Sequence, residues 1–159
     1  MMYRYSSFMK TFAVTLIMML AAAGAAHAGL FDKYSINRED LPEQAREMLD
    51  EHFPKKKVSM VKTDKHLLRK SDYDVKLTDG TKIEFNSKGA WTSVDCGKKA
   101  VPETLLKSSM KRYVTKNHPD ATIVGIRKSI LAYELTLDSG HLLKFTLPGT
   151  HSSTTQPSE

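Results

Sequence analysis

An α+β domain is the fold this sequence predicts: a tandem duplication of a helix plus antiparallel-strand unit, with one curved antiparallel sheet of about seven strands and two main helices on one face. Three observations carry that prediction. Two stretches with apolar residues at helical spacing each start beside a proline and stop at another. Each is followed by segments in which apolar and polar residues alternate, the period of a half-buried strand. The second round then repeats residues of the first in one register.

The chain opens on an export signal. Arg4 and Lys10 make a positive leader, Thr11–Ala23 is an apolar run, and Ala26-His27-Ala28 precedes Gly29 with small residues at the −3 and −1 positions, so cleavage after Ala28 is expected. The apolar run is shorter than the roughly 18–20 residues a membrane-spanning helix needs. No Cys follows the cleavage site, which leaves no residue there for lipid attachment. The expected product is periplasmic or secreted, without stable membrane insertion after cleavage. Residues 29–40 read as a flexible leader.

Residues 41–100 form the first copy. Leu41-Pro42-Glu43 opens a helix in which Leu41, Ala45, Met48, Leu49 and Phe53 share a face before Pro54 ends it. Val58–Lys62 is an apolar strand candidate. Tyr73, Val75 and Leu77 then alternate with Asp72, Asp74 and Lys76, Asp79-Gly80 supplies a tight turn, and Ile83 and Phe85 continue the apolar face on the return strand. Ala90–Asp95, with Trp91 and Val94, makes a fourth strand.

Residues 101–147 form the second copy. Val101-Pro102-Glu103 opens a helix carrying Leu106, Met110, Tyr113 and Val114 and ending at His118-Pro119. Thr122–Lys128 is the next strand candidate, and Tyr133, Leu135, Leu137, Ser139-Gly140, Leu143 and Phe145 repeat the hairpin sixty residues on. The strand before the hairpin matches at an offset of 65, a difference of five that points to a longer second helix and a longer loop around His66–Lys70. Residues 148–159, rich in Ser and Thr, read as a disordered tail, which leaves this copy without a clear fourth strand.

Charge and chemistry narrow the function. The whole chain has 24 Lys+Arg against 18 Asp+Glu, but without residues 1–28 it has 22 against 18, a net charge of +4, so its basicity is no argument for nucleic acid. Cys96 is the only cysteine, which excludes an internal disulfide and makes stability depend on a packed core. Lys98 and Lys99 would favour a thiolate at Cys96, whereas a small residue at a strand end needs no reactivity. The histidines of the mature chain, His52, His66, His118, His141 and His151, include no i, i+4 pair of the kind that chelates zinc. No phosphate loop, nucleophile elbow or calcium loop is present. No catalytic residue, metal or cofactor is assigned. Lys55-Lys56-Lys57 reads as a solvated turn and Trp91 as filling between sheet and helix.

Leu41-Pro42 with His52-Phe53-Pro54, Tyr73-Asp74-Val75-Lys76-Leu77-Thr78-Asp79-Gly80-Thr81-Lys82-Ile83-Glu84-Phe85, Gly89-Ala90-Trp91, Val94-Asp95-Cys96 and then Val101-Pro102 with its second round resemble the PepSY-like family, also labelled beta-lactamase-inhibitor-like. The resemblance covers roughly residues 40–147. It implies a small exported bacterial protein made of a duplicated helix-plus-strand unit, and it implies no activity. The inhibitor label rests on likeness of fold to proteins that hold an enzyme against the open face of a sheet, and fold analogy alone does not transfer function.

The functional expectation is a non-enzymatic binding module that contacts another envelope or secreted protein, as an inhibitor or modulator, through the polar sheet face. Asp74, Lys76, Glu84, Glu134, Thr136 and Lys144 are its candidate residues, with Asp72 and Lys82 beside them. The alternative is an envelope protein that binds a small ligand in an apolar pocket between helices and sheet, lined by Tyr73, Phe85, Tyr133 and Phe145. An enzyme would need His, Asp or Glu side chains brought together from both copies.

Overall fold

The computed structural model describes residues 32–64, 72–147 and 149–157. The chain divides after Asp32, and the architecture is that of the unit beginning at Lys33. The export segment expected over residues 1–28 lies outside the described residues.

Nine strands form one antiparallel sheet in which every strand pairs with its neighbours in sequence: β1 Lys33–Ser35, β2 Val58–Asp64, β3 Asp72–Leu77, β4 Lys82–Phe85, β5 Trp91–Asp95, β6 Ile123–Lys128, β7 Ala132–Leu137, β8 Leu142–Thr146 and β9 His151–Thr155. Two ten-residue helices, α1 Glu43–His52 and α2 Ser108–Asn117, complete it. Alternation along β3, β4, β7 and β8 sends Val75, Leu77, Ile83, Phe85, Leu135, Leu137, Leu143 and Phe145 to one side. There they join Ala45, Met48, Leu49, Met110 and Val114 of the helices in a single core. Burying each large side chain stabilises the fold by about 1.5–3 kcal/mol.

The strand count corrects the expected seven. β9 lies in residues 148–159, read from the sequence as a disordered tail, and gives the second half the fourth strand it was expected to lack. β1 and a 3-10 turn, Arg38–Asp40, likewise occupy the segment read as a flexible leader. Both additions are edge strands of mostly exposed residues, so backbone pairing rather than side-chain burial holds them, and they carry no alternating apolar signal.

The second helix is also corrected. It is as long as the first, and the five extra residues form a separate 3-10 turn, Glu103–Leu105, and a short link ahead of Ser108. Each half thus runs helix and then four antiparallel strands. Bulges fall between Val58 and Met60 and between Ile123 and Gly125, and again between Glu84 and Phe85 and between Lys144 and Phe145. Each bulge adds local twist to the sheet.

Helix and sheet are fitted together through two glycines. Gly89 (φ +84°) lies so close to α1 that a Cβ would stand 2.8 Å from Pro42 Cβ and 2.9 Å from the Ala45 amide nitrogen. Gly149 (φ +122°) meets α2 in the same way, with its carbonyl accepting from Ser109 Oγ at 2.9 Å.

Candidate functional site: the outer face of the sheet

The side of the sheet away from the helices carries cross-strand rows set by the register. One row passes through all nine strands: Tyr34, Lys62, Asp74, Glu84 and Ser93, then Arg127, Glu134, Lys144 and Ser153. With strands about 4.8 Å apart, it extends roughly 40 Å. A second row includes Lys76, Lys82, Asp95, Gly125 and Thr136. The six residues singled out in the sequence therefore divide between neighbouring rows of one surface: Asp74, Glu84, Glu134 and Lys144 in the first, Lys76 and Thr136 in the second.

Sequence reasoning missed Lys62, Ser93 and Arg127. Lys62 and Arg127 fall in segments read only as apolar strands, and Ser93 beside the bulge residue Thr92; the available signal was their position opposite Asp74, Glu134 and Glu84 once the hairpins are registered.

The two halves of this face differ electrostatically. In the second, Glu134 stands between Arg127 and Lys144, opposite charges in register. In the first, Lys62 faces Asp74 and Lys82 faces Asp95, but like charges also stand directly opposite each other three times: Asp64 with Asp72, Asp74 with Glu84, and Lys76 with Lys82. Such pairs cost several tenths of a kcal/mol each. Lys62 reaches Asp64 at 2.6 Å. Among the described residues no ion pair joins Asp74, Glu84, Lys76 or Lys82 to a neighbour. Burial pushes the Asp74 carboxyl above its ordinary range, Asp64 and Glu84 push it further, and Lys62 only partly opposes them.

At the end of the sheet bearing the Asp79-Gly80 turn, a cavity of about 330 Å³ is lined by His52, Phe53, Lys56, Asp79, Cys96 and Lys99 among others. Asp79 binds both lysines, Lys99 Nζ at 2.9 Å and Lys56 Nζ at 3.1 Å, and its Oδ1 accepts from the Thr81 amide. Cys96 is 3% exposed and burial raises its thiol pKa, so it is a core side chain rather than a poised thiolate. His52 shares a hydrogen bond with the Thr104 hydroxyl at 2.7 Å. An open furrow of about 490 Å³ runs between α2 and β9 past Arg112, Tyr113, Lys116 and His151, with the His151 ring stacked on Tyr113 at 4.1 Å. His118 and His141 come within 5.8 Å from distant parts of the chain. Among the described residues no group of three or more His, Cys, Asp or Glu side chains is placed to hold a metal ion.

The aromatic pocket is filled. Phe85 and Phe145 are 1% and 0% exposed, Tyr133 is buried and Tyr73 packs against the same cluster. Trp91 also packs on the core, with Lys128 Nζ 5.7 Å from the centre of its ring.

The family model described as "Putative beta-lactamase-inhibitor-like, PepSY-like" matches residues 71–151. A solved Bacteroides vulgatus structure, described as a "putative periplasmic protein of unknown function", is 37% identical with a TM-score of 0.74, over 79% of this chain and 99% of its own. A "putative calcium-regulated periplasmic protein" of Bacteroides thetaiotaomicron is 33% identical with a TM-score of 0.73, over 79% of this chain and 97% of its own. A further "putative periplasmic protein" of Bacteroides vulgatus is 34% identical with a TM-score of 0.73, over 81% and 100%. No curated protein matches.

Proposed function

This chain belongs to the PepSY-like family, and from that premise we propose that it is a non-enzymatic, exported binding module that holds another envelope or secreted protein against the outer face of its sheet, as an inhibitor or modulator. The observation that carries the reading is the arrangement of like charges opposite each other on β2, β3 and β4. Exchanging one acid and one lysine between β3 and β4 would turn two repulsive pairs into attractive ones within an unchanged fold. A sequence that keeps the unfavourable arrangement gives up stability there, the pattern expected where charges answer to a partner. A complementary partner presents a cationic group to Asp74 and Glu84 and an anionic one to Lys76 and Lys82.

Export to the periplasm is supported by the leader, the apolar run and the Ala26-His27-Ala28 site, together with the periplasmic descriptions of the Bacteroides relatives. Protein recovered from the periplasm should begin at Gly29. The two halves are read as a tandem duplication on the strength of their equal helices, shared strand order and matched bulges. The small-ligand alternative loses its support, since the aromatic side chains it relied on fill the core.

The test is capture of a specific protein from envelope extract. Lys76→Glu with Glu84→Lys should abolish it, while Glu47→Lys on the exposed side of α1 should leave it intact. Capture that survives the first change and fails with the second would place the contact on the helices instead.

A further inference from the structure

The connection between β6 and β7 breaks the turn chemistry used elsewhere in this sheet. The β3–β4 and β7–β8 hairpins turn on Asp79-Gly80 and Ser139-Gly140, with both glycines at positive φ. The four-residue turn Ser129–Ala132 instead places Ile130 and Leu131 at its centre. It is closed by the Ser129 amide donating to the Ala132 carbonyl at 2.8 Å and by the Ala132 amide donating to Ser129 Oγ at 3.1 Å. Polar or glycine residues are the usual occupants of such positions. Ile130 is 90% exposed and Leu131 79%, and beside them the Leu147 amide donates to the Leu131 carbonyl while its own side chain is 44% exposed. Three large aliphatic side chains thus project together from one end of the sheet, left exposed by the described residues.

Cations predominate in the sequence around this tip: residues 127–133 and 142–153 contain no Asp or Glu, although Lys128 also lines a pocket with Glu47 and Glu51 of α1 and Arg127 stands opposite Glu134. Arg127 and Lys128 directly precede the turn, and the Lys107 side chain lies against Gly149 with its Nζ 4.9 Å from the centre of the Tyr133 ring. The first acid along β7, Glu134, stands between Arg127 and Lys144 in register.

We infer that this tip is a shallow anchor for an anionic phospholipid surface: Ile130, Leu131 and Leu147 enter the interfacial layer while Arg127 and Lys128 meet the headgroups. A projecting tip of three residues suits a bilayer better than a protein, because a stable protein interface needs roughly 800 Å² from each partner. Apolar burial and attraction to anionic lipid reinforce each other in such adsorption, which is reversible and involves no spanning segment. The anchor is independent of the outer-face reading and leaves rows β2–β4 free to engage a protein.

The test uses protein purified from the periplasm and equimolar phosphatidylglycerol–phosphatidylcholine vesicles, with phosphatidylcholine vesicles for comparison. Wild type should co-sediment with the anionic vesicles, and less so at high salt. Ile130→Ser with Leu131→Ser should lower the apparent affinity at least about tenfold without moving the melting temperature, because neither side chain is buried. Arg127→Glu with Lys128→Glu should weaken binding to anionic vesicles alone. Equal sedimentation of wild type and the Ser variant, or no sedimentation of wild type, overturns the inference. So does a wild-type dimer in sedimentation velocity that the Ser variant loses, which would assign the patch to self-association.

Discussion

Lys99 is tied twice to Asp79: its ammonium lies 2.9 Å from the Oδ2 carboxylate oxygen and 2.5 Å from the Asp79 main-chain carbonyl. With Lys56 on the other side, Asp79 joins three segments distant in sequence: the β3–β4 turn, the chain leaving α1 and the chain leaving β5. Burial alone would raise its carboxyl pKa. Hydrogen bonds from Lys99, Thr81 and Lys56 outweigh that and hold it well below the ordinary carboxylate range. A depressed folded-state pKa contributes stability above the unfolded value near 3.9, and that contribution is lost as pH falls through the folded pKa. Asp79→Asn keeps an acceptor for the Thr81 amide but removes both ion pairs. It should cost about 1–2 kcal/mol at pH 7, and its melting-temperature deficit should shrink below pH 4. A deficit independent of pH would remove the electrostatic account.

Asp74 should behave in the opposite sense. Burial, Asp64 and Glu84 raise its folded pKa, so its ionised form opposes folding. The protonated form favours the folded state, and the advantage disappears as pH rises through the folded pKa. Asp74→Asn should therefore leave stability at pH 7 unchanged or raise it by at most about 0.5 kcal/mol, and the difference from wild type should vanish near pH 3. The same substitution should weaken partner capture. A variant that melts no lower yet binds less separates function from folding at this residue, whereas a fall in melting temperature at pH 7 would contradict the charge-crowding account.

Two glycines with similar φ allow strain and crowding to be told apart. Gly80 (φ +90°) has nothing within 4 Å of a Cβ placed on it, so Gly80→Ala should cost only the conformational penalty, about 1 kcal/mol. Gly89 (φ +84°) would drive its methyl into Pro42 and the backbone of Ala45, and Gly89→Ala should cost about 2–4 kcal/mol in urea unfolding. Equal costs at the two sites would mean that α1 moves freely relative to the sheet.

What the sequence disclosed follows from where side chains are buried. The inward residues Val75, Leu77, Ile83 and Phe85 and their counterparts Leu135, Leu137, Leu143 and Phe145 reveal the hairpins because half of each strand is buried and half is not. Asp74 and Glu84 were legible as outward residues for the same reason. That they stand opposite each other is a matter of register, readable only once the Asp79-Gly80 turn is known to close a three-residue loop, Thr78-Asp79-Gly80, between Leu77 and Thr81. Lys62 and Arg127 stayed hidden because β2 and β6 combine buried and exposed positions with bulges that interrupt the alternation. β1 and β9 left still less trace, since an edge strand is held by main-chain hydrogen bonds to which every residue type except proline contributes alike.

β9 provides the sharpest contrast between the tail expected from the sequence and the strand observed. Its residues are Ser and Thr with one His, yet it covers the edge of β8 and places the His151 ring flat on Tyr113 and edgewise to Phe145. Tyr113 meets Phe145 at a right angle with ring centres 5.5 Å apart, so His151 completes an aromatic group joining α2 to the sheet. Without β9, the outer main-chain groups of β8 lose their partners and one side of Phe145 is opened to water. Ending the chain at Pro148 should thus destabilise the domain by about 2–4 kcal/mol, seen as a lower urea midpoint. Removing only residues 156–159, beyond the strand, should change stability by less than about 0.5 kcal/mol. His151→Ala in the full chain isolates the aromatic part and should cost about 1 kcal/mol, leaving backbone pairing to account for the remainder. A chain ending at Pro148 with an unchanged midpoint would return these residues to the status of a dispensable tail.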